Sequence, residues 1–185
     1  MSRAFFALWP DEALRARLRA GLPARLEGAG GRALEPLDWH VTLRFLGAID
    51  AAQLAALRAQ ADAVRGPPIE LRFESIEYWA QARLLALVAP LEVPRAALAL
   101  AQALERLARA AGLGAEERPL RPHITLVRGV RAVPGPGVIG RLADVQASAF
   151  ILRASEFHLA ESIVPEPPGT STRRYRALQS WPLRA

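Results

Sequence analysis

The chain has no cysteine, and that one absence excludes thiol catalysis, a disulfide framework and any cysteine-ligated zinc centre. It also lacks lysine and asparagine, so all 24 basic side chains are arginine. Histidine is scarce, with three copies, so any imidazole chemistry must come from His40, His123 or His158. No stretch approaches the roughly 18 apolar residues of a membrane span. The apolar opening "RAFFALW" is ended by Pro10 and by charge, too soon for a signal or membrane helix. A cytoplasmic monomer with no membrane partner is the expectation.

What is present fits in 185 residues, the length of one domain or of two small, closely packed lobes. A chain of this size buries roughly 70% of its unfolded surface and needs no covalent or metal staple. The net charge of +6 favours a polyanionic partner, because arginine makes planar bidentate contacts to phosphate.

Along the chain, "RAFFALW" reads as a buried strand and "DEALRARLRAGL" as a helix with acids in its first turn. "LDWHVTLRFLG" reads as a strand stopped at Gly47, and Asp50 as the N-cap of the helix "AAQLAALRAQADAV". "IELRFESIEYWA" alternates as one strand, "RLLALVAP" is a buried strand, and Pro94 opens a helix to about Ala111. "HITLVRG" is a strand again, residues 131–144 are a Gly/Pro-rich loop, and Gln146 to Glu161 and Tyr175 to Trp181 close the chain as strands.

The two halves repeat this order. Strand, helix, "WHVTLRFLG" in the first half matches strand, helix, "PHITLVRG" in the second, and each is followed by an alternating strand. The expected fold is α+β over residues 1–185: one bilobal domain of two pseudo-twofold-related lobes. Each lobe is an antiparallel-rich sheet with outer helices, and a cleft for the active site lies between the sheets.

Residues two apart on a strand share a face. His40 and Thr42 therefore look the same way, as do His123 and Thr125, while Val41, Leu43, Ile124 and Leu126 anchor each strand in the core. Symmetry would bring both pairs together from opposite walls. Such a constellation suits a phosphodiester: a neutral imidazole takes a proton from water while a protonated one gives a proton to the leaving alkoxide. The unperturbed pKa of histidine, about 6.5, suits both roles near neutral pH. Threonine hydroxyls donate to the non-bridging oxygens, where charge builds. One His-x-Thr is a weak signal; two at matching places are a strong one.

With these motifs, the chain resembles the two-histidine (2H) phosphoesterases, and among them the LigT-like RNA 2′,3′-cyclic phosphodiesterases, also called 2′-5′ RNA ligases. The resemblance runs from "RAFFALWP" through both histidine motifs to the tail "RRYRALQSWPL" with Tyr175. It implies catalysis by His40 and His123, with Thr42 and Thr125 on the substrate and no metal or other cofactor. It further implies that RNA ends bearing a 2′,3′-cyclic phosphate, such as tRNA fragments, are hydrolysed to 2′-phosphates, with reversible 2′-5′ ligation as a second activity.

It also nominates Phe45 to stack on a base and Arg128 to contact substrate. Strict alternation puts both on the face opposite their histidines, so either the strand ends or bulges there, or Phe45 is a core residue and Arg128 a surface one. Arg118 and Arg121 are candidates for phosphate contacts or a solvated pair of charges. His158, with Glu156 on its own face, reads as a structural imidazole rather than a third zinc ligand. Trp39 and Trp79 read as packing residues, with stacking on RNA as the alternative. The competing functions are a phosphodiesterase for a small cyclic nucleotide or ADP-ribose cyclic phosphate, a non-catalytic RNA-binding module, and a zinc hydrolase using all three histidines.

Overall fold

The apolar runs around the two histidine motifs become neighbouring strands. The structure, a computed structural model, describes residues 2–22, 26–135, 137–142, 150–163 and 173–184. In chain order its elements are β1 (Ser2–Leu8), α1 (Glu12–Gly21), β2 (Arg32–Ala33), a 3-10 turn (Pro36–Asp38), β3 (Val41–Ile49), α2 (Ala51–Ala61), β4 (Ile69–Arg72), β5 (Ser75–Trp79), β6 (Leu84–Val88), α3 (Arg95–Ala110), β7 (His123–Arg128), β8 (Gly140–Arg141), β9 (Ile151–Ala154), β10 (Glu156–Ser162) and β11 (Tyr175–Pro182). None of the described helices is long and apolar enough to cross a membrane.

Helices α1 and α2 begin where side chains satisfy their free N–H groups, whereas α3 starts after Pro94 with no side-chain cap. Asp11 accepts from the Leu14 N–H, and Asp50 and Gln53 form a reciprocal capping box on α2. Each such cap contributes about 1 kcal/mol. Helix α3 turns Ala97, Leu100, Leu104 and Ala108 into the core, the spacing of one helical face.

The strands order as β11-β10-β1-β3-β7-β6-β5-β8, with β2 also on β7, and β4 and β9 pair separately. All these pairings are antiparallel. The order is symmetric about the β3–β7 seam: β1 matches β6, β10 matches β5, and β4 and β9 pair with each other. The fold is α+β, as the repeated order implied. The two sheets are joined, however, and the joint is narrow, for β3 and β7 exchange only the pair Val41 and Ile124. Both residues lie at the start of their strands, so the antiparallel strands overlap there and run off in opposite directions.

Several expected boundaries differ. Strand β8 lies inside residues 131–144, expected as loop, because Gly140 and Arg141 meet the edge of β5. Helix α2 ends at Ala61, short of the expected Val64. "IELRFESIEYWA" is two strands, because β4 pairs with β9 while β5 pairs with β6. The closing strand expected from Gln146 is likewise two, β9 and β10, parted at Ser155; residues 143–149 lie outside the described residues. Strand β3 runs through Gly47 to Ile49, since Gly47 adopts φ +76° at a ladder irregularity instead of ending the strand. Gly31 is required for a different reason: a Cβ there would sit 2.6 Å from the Arg128 carbonyl oxygen, where the chain presses β2 onto β7.

Candidate active site

The site forms at the seam. Continuing the Val41–Ile124 register by one residue sets His40 opposite Thr125 and Thr42 opposite His123, so all four side chains share one face. Each histidine thus faces the hydroxyl of the other motif. Neither hydroxyl is spent on a hydrogen-bond partner among the described residues.

Both rings are held alike. His40 Nδ1 donates to the Asp38 carbonyl at 2.7 Å, and His123 Nδ1 donates to the Arg121 carbonyl at 2.8 Å. In each motif the acceptor lies two residues upstream. With Nδ1 tied, Nε2 is the nitrogen left to accept or deliver a proton, and it has no partner among the described residues.

A bulge comes after each threonine. Along β3, Ala7 pairs with Thr42 and Phe6 with Arg44, so Leu43 is the extra residue; Phe45 then pairs with Phe5. Along β7, Ala86 pairs with Thr125 and Leu85 with Val127, so Leu126 is the extra residue; Arg128 then pairs with Leu84. One added residue reverses the facing of every later residue on that strand. Phe45 and Arg128, three residues past their threonines, are thereby returned to the face of the histidines. Of the two open alternatives, the bulge is the one realised.

Arg128 acts electrostatically on both motif histidines. Its buried Nε has no hydrogen-bond partner, and its guanidinium disfavours a positive charge on both His40 and His123. Phe45 is half-exposed, with the Arg3 guanidinium 5.3 Å from its ring centroid.

The surroundings of the two histidines differ. His40 is enclosed by Phe5, stacked at 4.8 Å, by Trp9 at 5.2 Å, and by Tyr175, edge-on at 4.8 Å. Burial lowers its pKa to about 4; the Asp38 carbonyl opposes this, while Arg128 and His123 add to it. His123 touches Trp79 at 4.4 Å, and the Arg121 guanidinium lies 5.1 Å from that indole while pairing with Glu77 at 2.7 Å. Its pKa is also lowered, chiefly by burial and then by Arg128 and Arg121 against the opposing carbonyl contact. The ordinary value near 6.5 expected from the sequence therefore does not hold for the free enzyme.

Asp38 carried no motif that singled it out in the sequence. Its carboxylate is buried and accepts from the Arg174 N–H at 3.0 Å and the Tyr175 N–H at 3.2 Å, which fastens the start of β11 beside His40. Burial raises its pKa against those two backbone contacts. The available signal was its place two residues before a motif histidine, the place Arg121 occupies in the other half.

The remaining candidates separate cleanly. Trp39 lies in the core. Trp79 packs on His123. Arg118 pairs with Glu116 at 2.9 Å and is mostly exposed. His158, opposite Ala7 on the same sheet face, lies 3.6 Å from Glu156 and edge-on to Trp9. Among the described residues, no three side chains of metal-binding type cluster.

Two imidazoles with free Nε2 atoms, opposed hydroxyls and one unpaired guanidinium thus share one face at the seam. The LigT-like phosphoesterase family matches residues 8–85, across the first motif. The RNA 2′,3′-cyclic phosphodiesterase of Escherichia coli (strain K12) is 28% identical over 184 residues, spanning 98% of this chain and 96% of that relative. A crystal structure of a phosphoesterase superposes with a TM-score of 0.83 at 27% identity, covering 100% of this chain and 99% of that one. E. coli LigT complexed with 3′-AMP gives a TM-score of 0.82 at 27% identity, with the same coverage. The chain is similar over its whole length to the LigT-like phosphoesterases.

Proposed function

We propose that the protein is an RNA 2′,3′-cyclic phosphodiesterase in which His40 and His123 act as the acid–base pair. The observation that carries this reading is the repeated tether: both Nδ1 atoms are bound to backbone carbonyls, leaving two Nε2 atoms at one seam. In the reaction the neutral imidazole takes a proton from water as the water oxygen bonds to phosphorus. The P–O3′ bond breaks, and the protonated imidazole delivers its proton to O3′, leaving a 2′-phosphate. Thr42, Thr125 and Arg128 donate to the non-bridging oxygens, and Phe45 stacks on the terminal base. A ribose 5′-hydroxyl in place of water would run the same steps toward a 2′-5′ linkage.

The lowered pKa values bear on the working pH. The competent free enzyme carries one proton on the pair, so kcat/KM should peak between the two apparent values, on the acid side of neutrality. A bound phosphate anion raises the affinity of an imidazole for its proton, so the kcat profile should lie at higher pH. The finer substrate class we propose is tRNA fragments ending in a cyclic phosphate. Every proposed group comes from one chain, so a monomer in the cytoplasm suffices.

The test is a panel of 2′,3′-cyclic phosphates, from mononucleotide to oligonucleotide, assayed with and without EDTA. Turnover of RNA ends that survives chelation is expected. Activity lost in EDTA and restored by zinc would overturn the reading, as would turnover confined to a small non-RNA cyclic phosphate.

A further inference from the structure

Beside the seam lies a groove of about 1140 Å³, and Thr42 and His123 stand at its lining. Its size exceeds the roughly 300–1,000 Å³ of an ordinary small-ligand pocket. Phe45 lines it too, so one nucleoside stacked there leaves much of the space unfilled.

The far wall is built by α3 and the loop before it. Leu98, Ala101, Gln102, Glu105 and Arg106 line the groove, at the spacing of one helical face adjacent to the buried face of α3. That face runs from apolar at Leu98 to basic at Arg106. Leu91 and Val93 extend the apolar part, and Leu91 is 83% exposed. Leu91, Val93 and Leu98 together give one end of the groove a contiguous apolar lining beside the polar site.

The charges in the groove are unequally engaged. Arg44 bonds Glu105, Arg118 bonds Glu116 and Arg121 bonds Glu77. Arg106 has no carboxylate within ion-pair distance among the described residues. An unneutralised guanidinium next to an apolar wall, continuous with a phosphodiester site, matches one repeat of a polynucleotide: an apolar base and its anionic linkage. A duplex would hide its base faces in the stack, whereas a single strand presents them.

Building on the phosphodiesterase reading above, we propose that this groove holds the nucleotide 5′ to the reacting end of single-stranded RNA, its base on Leu91, Val93 and Leu98 and its phosphate on Arg106. The subsite makes the enzyme prefer RNA ends with an unpaired tail over free cyclic nucleotides.

The experiment compares adenosine 2′,3′-cyclic phosphate with a trinucleotide ending in the same group, on wild type, Arg106→Ala and Leu91→Asp. Both substitutions are on the surface, and matching thermal melts check the fold. Wild type should have a KM for the trinucleotide about tenfold lower, with the advantage shrinking as salt rises. Each variant should lose most of that advantage, while turnover of the mononucleotide, which does not reach the subsite, stays within about twofold. Arg106→Ala should also reduce the salt slope by about 0.7, the contribution of one phosphate contact on a single strand. An unchanged trinucleotide KM in both variants, or equal losses on both substrates, overturns the subsite. So does a blunt RNA hairpin bound as tightly as the single strand. If wild type turns over neither substrate, it is the phosphodiesterase reading that fails. The groove is then judged by fluorescence anisotropy of a trinucleotide ending in a 3′-phosphate: weaker binding to Arg106→Ala supports it, and equal binding overturns it.

Discussion

The half around His40 and the half around His123 share a backbone plan and differ in what is packed on it. In both, the ring nitrogen is tied to the carbonyl two residues upstream, a threonine stands two residues downstream, and a bulge then returns the third residue beyond it to the site face. At that returned position one half carries Phe45 and the other Arg128, an apolar platform against a cation. The residue that anchors the ring differs as well. The Asp38 side chain turns inward to hold β11, whereas the Arg121 side chain lies over Trp79 at the rim of the groove. The lesson is a division of labour. Repeated backbone geometry aims the two imidazoles, and unlike side chains make the two walls different: an apolar platform and aromatic enclosure on one, charge on the other.

The strongest way to break this comparison is to remove either imidazole. His40→Ala and His123→Ala should each lower kcat/KM about 10²- to 10⁴-fold, and the double variant should be little worse than the weaker single one, because both groups serve one step. Activity within a few-fold of wild type in either single variant would end the two-histidine account.

Next come the unlike residues at the returned position. Arg128→Met should cost about 10²-fold, mainly in kcat, as expected for loss of a donor to the developing charge. Phe45→Ala should act mainly on KM, since stacking contributes about 1–3 kcal/mol per base. The same kcat-to-KM split in both variants would mean that the two walls are not specialised. Thr42→Ala and Thr125→Ala should fall below Arg128→Met in effect, with serine restoring most activity in steady-state assays because the hydroxyl remains.

Asp38 gives a sharper test of the aromatic wall. Asp38→Ala should reduce kcat several-fold by freeing β11 and Tyr175 from the His40 ring, and Asp38→Asn should recover most of it, since one amide oxygen still accepts from the backbone. Asparagine as damaging as alanine would show that the negative charge matters instead.

Stability against pH separates the halves most gently. The folded-state pKa of His40, about 4, lies below its unfolded value near 6.5, so unfolding takes up a proton between those values. Its stabilising contribution is full above pH 6.5 and is lost as pH falls toward 4, a change of about 3 kcal/mol. Urea midpoints measured from pH 7 to pH 4 should fall less steeply in His40→Gln than in wild type. Identical slopes would place the His40 ring in solvent rather than inside its aromatic enclosure.

Much of this arrangement was legible in the chain itself. Period-two alternation placed His40 with Thr42 and His123 with Thr125, because side chains on a strand repeat every second residue whatever lies around them. The repeated order of strand, helix and histidine strand announced the α+β symmetry, and Asp50 and Pro94 marked where α2 and α3 begin. These are local properties, set by backbone sterics and by hydrogen bonds within a few residues. Other features depended on partners far along the chain. The bulges at Leu43 and Leu126 exist only relative to β1 and β6, so the facing of Phe45 and Arg128 had no local signature. The breaks between β4 and β5 and between β9 and β10 arise because each half lends strands to a different neighbour. Asp38 reaches Arg174 and Tyr175 across more than a hundred residues, and only folding brings that carboxylate to those N–H groups. The lowered pKa values belong to the same class, since burial and a guanidinium brought in by packing decide whether an imidazole holds its proton.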